Sequence, residues 1–511
     1  MLADFFDRAA VAASQIVAGF RRDEFAQLLL GKSIGIAFAD GDPHTRQMVD
    51  LAVRLAARLY PTLSLQPGRK ARALAREYVE LARSINPRID VAVDRRADIG
   101  LVVGNAAAQL VMPIHVGCSD WEAFVDIDEP QPVRSGHLPF GAGVAAAVGM
   151  ANVFRGVLGI DEFDRGLKYR VLNVDAAMKG IDPTHPVPSE VVLVGCGAIG
   201  SAAVWALRYL SGSRVIHLVD HERLELSNLQ RYVLSARRDV GRYKVDVVAE
   251  QLSHLTPKRH RETWGRFVGR FGHTWPAVLV AVDSADARCE IQASLPRRIA
   301  NAWTQPGDLG VSVHGRFGNE GACLACLYLR DTPTKNDDQI VADALGIPER
   351  LMDVRNLLQL GLPVPDPLLA LIAARIGHDV KDLEPYSGLP LRRLYVEGIC
   401  GGALVTPNPA RGVTAELHVP LAHQSALAGV LLAASLASGR MAQPSPGTTD
   451  ITRVDVLRPI GAVTTQPAAA RHDGRCLCDD ADFRAVYDAK WSGQVDRPLS
   501  LRKREATSRC G

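Results

Sequence analysis

Residues 191–200 of this 511-residue chain read VVLVGCGAIG, an apolar run that leads directly into three glycines at G-x-G-x-x-G spacing. Val191, Val192, Leu193 and Val194 have the pattern of a parallel strand buried on both faces. Parallel strands need a crossover, and the glycines mark its start. Gly195 permits a tight turn, Gly197 lets backbone approach a phosphate, and Gly200 lets a helix pack on the strand. The spacing predicts a helix over about Gly200–Leu210, with free N–H groups at its amino end for an anion. A second strand, VIHLVD, ends at Asp220, where a carboxylate suits ribose hydroxyls. The fold class implied is α/β, a doubly wound, mostly parallel sheet. On the glycines alone, an NAD-dependent oxidoreductase and a plain doubly wound sheet stand level.

The residues that follow shift that balance. Asn228, Gln230 and Arg231 stand in SNLQR, and Lys244 opens a predicted helix, YKVDVVAEQLSHL. A third apolar strand, AVLVAVD, is expected to end at Asp283, followed by Ser284 and Arg288. A guanidinium, an ammonium and a second carboxylate then share the carboxyl edge of one sheet, where open α/β folds bind ligands. Hydride transfer has no use for that set. Phosphate chemistry does, because cations neutralise phosphate oxygens and a carboxylate can hold Mg²⁺. Singly, Arg231 and Lys244 read equally as solvated charges and Asp283 as a helix cap.

This succession of glycine loop, Asp220, SNLQR, Lys244 and Asp283 resembles the ThiF/MoeB superfamily, the ubiquitin-activating-type enzymes. The resemblance implies a Rossmann-like adenylation domain using ATP. In it Gly195, Gly197 and Gly200 would hold adenosine and phosphates, and Asp220 the ribose. Asn228, Arg231 and Lys244 would contact the triphosphate, and Asp283 would coordinate Mg²⁺.

Nine cysteines without a secretory leader argue against a disulfide framework. Cys323 and Cys326 form C-x-x-C, and Cys476 and Cys478 form C-x-C. Two close pairs from distant segments suit tetrahedral Zn²⁺ in a structural role. Members of the superfamily carry such a zinc on two C-x-x-C pairs, so the C-x-C pair is a departure. Cys400 lies in EGICGGA, which resembles the catalytic-cysteine segment of enzymes that form a thioester. Its bland alternative is a buried structural thiol. Cys118, Cys196, Cys289 and Cys510 receive no role.

Residues 1–185 read as a weaker copy of the same plan. GKSIGIAFAD, TLSLQP and DIGLVVGN are expected strands, but AFADGDPH lacks the glycine loop, so a degenerate, inactive adenylation-like domain is expected. The proline-rich KGIDPTHPVPSE marks the boundary. Residues 186–330 and 403–511 form the expected active domain with its zinc site, and 331–402 a mainly helical insertion that carries the catalytic cysteine. In the superfamily an arginine from one half reaches the other half's ATP site. Arg21 and Arg22 are the candidates, and a solvated helix face explains them equally well.

A formal charge of +3 without a basic stripe excludes a nucleic-acid reader, and no apolar run of membrane length is free of charge, Gly or Pro. A bacterial or otherwise reducing cytoplasm is the expected location. The resemblance implies ATP-dependent adenylation of a ubiquitin-like protein's C-terminus, thioester formation on Cys400 and transfer to a conjugating enzyme. The whole-chain plan resembles the activating component of bacterial ubiquitin-like (BilD-type) defence operons. A MoeB/ThiF-like sulfur-carrier adenylyltransferase without a thioester, and a non-catalytic adenylation-fold scaffold, stay open. So does the choice between an internal pseudo-dimer and a homodimer.

Overall fold

The computed structural model describes residues 1–15, 20–173, 190–211, 215–305, 307–329, 337–399, 420–438, 449–461 and 464–492. Strands form wherever the apolar runs predict them, and they assemble into two sheets. The first contains β1 (Ile34–Phe38), β2 (Thr62–Pro67), β3 (Asp90–Val93), β4 (Ala97–Val103), β5 (Leu110–Cys118), β6 (Glu122–Asp126) and β7 (Leu167–Arg170), in the order β3-β2-β1-β4-β5-β6-β7. The second contains β8 (Glu190–Val194), β9 (Val215–Val219), β10 (Thr256–His260), β11 (Val278–Val280), β12 (Ile299–Gln305), β13 (Asp308–His314), β14 (Thr449–Val454) and β15 (Thr464–Ala468), in the order β10-β9-β8-β11-β12-β13-β14-β15. In each sheet the first five strands in that order are parallel and the remainder antiparallel.

The two orders are the same winding performed twice. Strands β1 to β6, a long helix (Pro139–Val157) and β7 correspond in sequence and place to β8 to β13, a second long helix (Ala422–Ala437) and β14. The helix after each first strand, Pro43–Leu59 and Ala198–Leu207, packs on its own long helix, and the two long helices pack on each other. One apolar core runs through this helical layer into both sheets. The Pro139–Val157 helix is long and apolar enough to cross a membrane, but it is buried almost throughout between the sheets. Helices Trp264–Phe271 and Ala285–Ala293 cover the outer face of the second sheet over a separate aromatic-rich cluster.

The two halves differ at the first crossover. Where β8 runs into glycines, β1 runs into an acidic turn, and the Asp42 carboxylate accepts from Thr45 N at 3.0 Å and Thr45 Oγ1 at 2.7 Å. The seat that a helix amino end offers an anion is therefore filled by the chain's own negative charge.

Polar contacts lock the halves together. Asp50 accepts from Trp205 Nε1 (2.7 Å) and Arg208 Nη2 (2.5 Å) across the junction, and from Arg54 Nε (2.9 Å) on its own helix. Burial opposes the Asp50 charge, but Arg54, Arg208 and the Trp205 hydrogen bond outweigh it and hold the pKa at about 2. A carboxyl depressed in the folded state adds stability above its unfolded pKa and loses it as pH falls through the folded value. Here that amounts to about 2 kcal/mol at neutral pH. Asp50→Ala strands two buried guanidiniums and is expected to cost about 3 kcal/mol at pH 7. In urea melts the gap to wild type narrows as pH falls below 4.

Residues 337–399 form helices Asp337–Ala344, Leu351–Leu360 and Asp366–Ile376 and shorter turns ending at Ile399, with an apolar core of their own. Cys400 follows immediately and lies outside the described residues.

Candidate active site

The chemistry-bearing residues gather at the carboxyl edge of the second sheet. Strand β8 lies between β9 and β11, and its loop begins with Gly195 at a φ of +91°. A Cβ there would lie 2.6 Å from the Ala281 carbonyl oxygen, and one at Gly200 would lie 2.0 Å from the Gly195 oxygen. Both close approaches require glycine. The helix starts at Ala198, two residues earlier than the sequence pattern indicates. Its first N–H groups have no acceptors within the helix and are oriented for an anion. Asp220, just past β9, accepts from Cys196 N and Glu222 N, each at 2.8 Å, which fixes its carboxylate beside the loop. Burial raises its pKa, and Lys244 counteracts this.

Arg231 and Lys244 both lie near one aromatic ring. The Arg231 guanidinium carbon lies 5.7 Å from the Tyr232 ring centre, and Lys244 Nζ lies 5.2 Å from it. Arg231 Nη1 is buried without a hydrogen-bond partner among the described residues, and burial lowers the pKa of the guanidinium. An orphaned buried donor of this kind fits an anionic ligand. Lys244 is buried and ion-paired with Glu222. Burial opposes its charge, but Tyr232, Asp220 and Glu222 prevail and raise its pKa.

Other predicted residues are placed differently. Asn228 closes its own turn, its Oδ1 accepting from Glu225 N at 3.0 Å. Asp283 lies three residues beyond β11, so the expected strand stops short of it. It is exposed, and its charge acts on Arg231 and Arg288. An exposed carboxylate whose charge reaches Arg231 fits Mg²⁺, which takes one or two carboxylates plus substrate phosphates. Arg288 is committed to structure, donating to Asn301 Oδ1 at 2.9 Å and to the carbonyls of Val282, Ser284 and Ala302. Arg22 pairs with Asp7 and Asp23, and Arg21 with Glu24, all at the surface.

Residues that the pattern did not mark also reach this edge. Arg54 Nη1 donates to the Val233 carbonyl at 3.0 Å, and Arg58 Nη2 to those of Tyr232 (2.5 Å) and Ser235 (2.7 Å). Tyr232 had a visible signal, its adjacency to Arg231. Arg54 and Arg58 had none, because their acceptors are backbone carbonyls distant in sequence.

Cys323, Cys326, Cys476 and Cys478 converge, all buried, with ligand atoms within 4.8 Å of one another. Sulfur separations of 3.3, 3.4, 3.4 and 3.7 Å approach the edge of a tetrahedron with ~2.3 Å metal–sulfur bonds. The C-x-C spacing works because Cys476 caps a 3₁₀ turn, Leu477–Asp479, that contains Cys478, and both thiols are buried in the cluster. The set fits a closed, structural Zn²⁺ site. Purified protein is expected to carry one zinc per chain by elemental analysis. Cys326→Ser should lose it, with a fall in melting temperature that added zinc does not restore.

Residues 187–465 match the ThiF family, and residues 38–159 match Prokaryotic E2 family C. An uncharacterized protein, y4jF of Sinorhizobium fredii, is 39% identical over 98% of this chain and 99% of its own length. The adenylyltransferase and sulfurtransferase UBA4 of Eremothecium gossypii is 26% identical over 34% of this chain, and the match spans 40% of UBA4. A crystal structure of E. coli MccB with MccA aligns at a TM-score of 0.36 and 14% identity, covering 57% of this chain and 66% of MccB. The ThiF match takes in more than half of the 511 residues, from the glycine loop through Arg231, Lys244, Asp283 and the first cysteine pair to residue 465. The chain belongs to the ThiF family.

Proposed function

We propose that this chain is an adenylyltransferase-type enzyme that activates the C-terminal carboxylate of a ubiquitin-like protein with ATP. The observation that carries the reading is Arg231 Nη1, buried without a hydrogen-bond partner among the described residues, on a guanidinium that shares the Tyr232 ring with Lys244. A carboxylate oxygen of the partner bonds to the α-phosphorus, the bond to the bridging oxygen breaks, and pyrophosphate leaves. Arg231 and Lys244 neutralise charge on the phosphates, the glycine loop lets backbone approach them, and Asp220 holds the ribose. Mg²⁺ at Asp283 would supply further charge neutralisation. Cys400 then supplies a thiolate that bonds to the acyl carbon as the C–O bond to AMP breaks. The thioester passes to a conjugating enzyme.

Two other readings have an observation behind them. UBA4 is named an adenylyltransferase and sulfurtransferase, which favours a sulfur-carrier substrate and no thioester. The match of residues 38–159 to Prokaryotic E2 family C favours a conjugating role for the N-terminal half, with Cys118 as its cysteine. Against the latter, Cys118 is 0% exposed and burial raises its thiol pKa, opposite to what acyl transfer needs. The silent-copy reading of that half is supported by the shared winding and by Asp42 in the anion seat.

ATP–pyrophosphate exchange tests the central step. Exchange that depends on a small protein with a free C-terminus is the expected result. Its absence with the partner encoded beside this chain would leave a non-catalytic scaffold.

A further inference from the structure

We propose that Tyr232 positions the phosphate-binding cations and that Arg58, from the N-terminal half, positions Tyr232; this rests on the adenylation reading above. Tyr232 is only 5% exposed, and its ring has the Lys244 ammonium and the Arg231 guanidinium both within 6 Å of its centre. Two cations this close repel each other. A ring attracts each of them, so contact with one ring offsets part of that repulsion and holds both charges near the glycine loop. The hydroxyl adds a second hold, because the Tyr232 oxygen interacts directly with the Lys244 ammonium as a hydrogen-bond partner. A Cβ built on Gly197 would lie 3.3 Å from the Tyr232 oxygen, which places the phenol against the glycine loop.

The other end of the residue is held from across the junction. The Tyr232 carbonyl accepts from Arg58 Nη2 at 2.5 Å, and the same nitrogen reaches the Ser235 carbonyl at 2.7 Å. Arg58 is 1% exposed, and Arg54 beside it holds the Val233 carbonyl at 3.0 Å. Burial and the neighbouring Arg54 oppose the Arg58 charge, the more distant Asp50 offsets part of that, and the direct hydrogen bonds all go to carbonyls, a costly arrangement for packing alone. Its geometric effect is specific: it fixes the backbone of 232–235, the segment immediately after Arg231. The N-terminal half thus reaches the site through a main-chain carbonyl, whereas Arg21 and Arg22 pair with surface acids.

The test is steady-state ATP–pyrophosphate exchange on the full chain with its protein substrate. Tyr232→Phe keeps the ring and removes the hydroxyl. It is expected to lower kcat about tenfold with the KM for ATP changed by less than about twofold, the pattern of lost alignment rather than lost affinity. Arg58→Met is expected to lower kcat by a similar factor, Arg58→Lys to recover part of it, and the Tyr232→Phe/Arg58→Met pair to be no worse than about either single change, because both act on one alignment. Tyr232→Phe with wild-type kcat overturns the proposal, as does a double variant whose losses multiply. If Arg58→Met does not fold, Tyr232→Phe and Arg58→Lys still decide. A wild-type chain without exchange fails the adenylation reading itself, whereas normal exchange in every variant fails only this inference.

Discussion

Arg231→Met should abolish most adenylation while making the empty protein more stable. Both effects follow from one fact: the guanidinium is buried and its Nη1 has no partner among the described residues. Without a ligand, that charge costs free energy, and burial already lowers its pKa. Methionine fills similar volume without charge, so the unliganded stability should rise by about 1 kcal/mol, and the melting temperature with it. In the reaction the same charge meets phosphate oxygens away from water, where a donor of this kind is worth ~10²–10³ in rate. ATP protection should shrink as well. At ~100 times the dissociation constant a ligand adds about 2.7 kcal/mol to the wild type, most of which the variant should lack. Exchange kinetics and melts with and without ATP check both halves. A variant that keeps wild-type exchange would remove Arg231 from the phosphates.

Cys400→Ala should separate the two chemical steps completely. Pyrophosphate exchange continues, because no thiol takes part in forming the adenylate. The thiol-sensitive conjugate between chain and modifier, seen on a non-reducing gel, disappears. The expected effect is total, since an alanine has no atom to bond with the acyl carbon. A conjugate that survives in the variant rules this cysteine out. A wild-type chain that exchanges pyrophosphate and never forms the conjugate selects the sulfur-carrier reading.

The second sheet was legible where its strands are buried on both faces. Val191–Val194 and VIHLVD carry their burial in composition, and the glycines fix the turn between strand and helix. The hairpin β12–β13 was not read, because IANAWTQ mixes polar and small residues and its partners are set by tertiary pairing. AVLVAVD predicted a strand out to Asp283, but pairing stops at Val280, where the chain turns along the sheet edge. The four cysteines were readable as a set; that C-x-C could close a tetrahedron depends on a 3₁₀ turn that spacing does not announce. Arg54 and Arg58, four residues apart on a helix, look in sequence like one solvated stripe. Their burial is a property of the junction, which no local pattern encodes.

The repeated winding also limits what this polypeptide can do with a second copy of itself. A face built from paired long helices is self-complementary, the geometry by which two identical subunits would meet about a rotation axis. Here both sides of that face belong to one molecule, sealed by Asp50, Arg208 and Trp205. Any self-association must therefore use outer surfaces, and each polypeptide offers a single glycine-lined mouth for two sheets. The half without the glycine loop meets its neighbour through Arg54 and Arg58, whose guanidiniums hold the carbonyls of Tyr232, Val233 and Ser235.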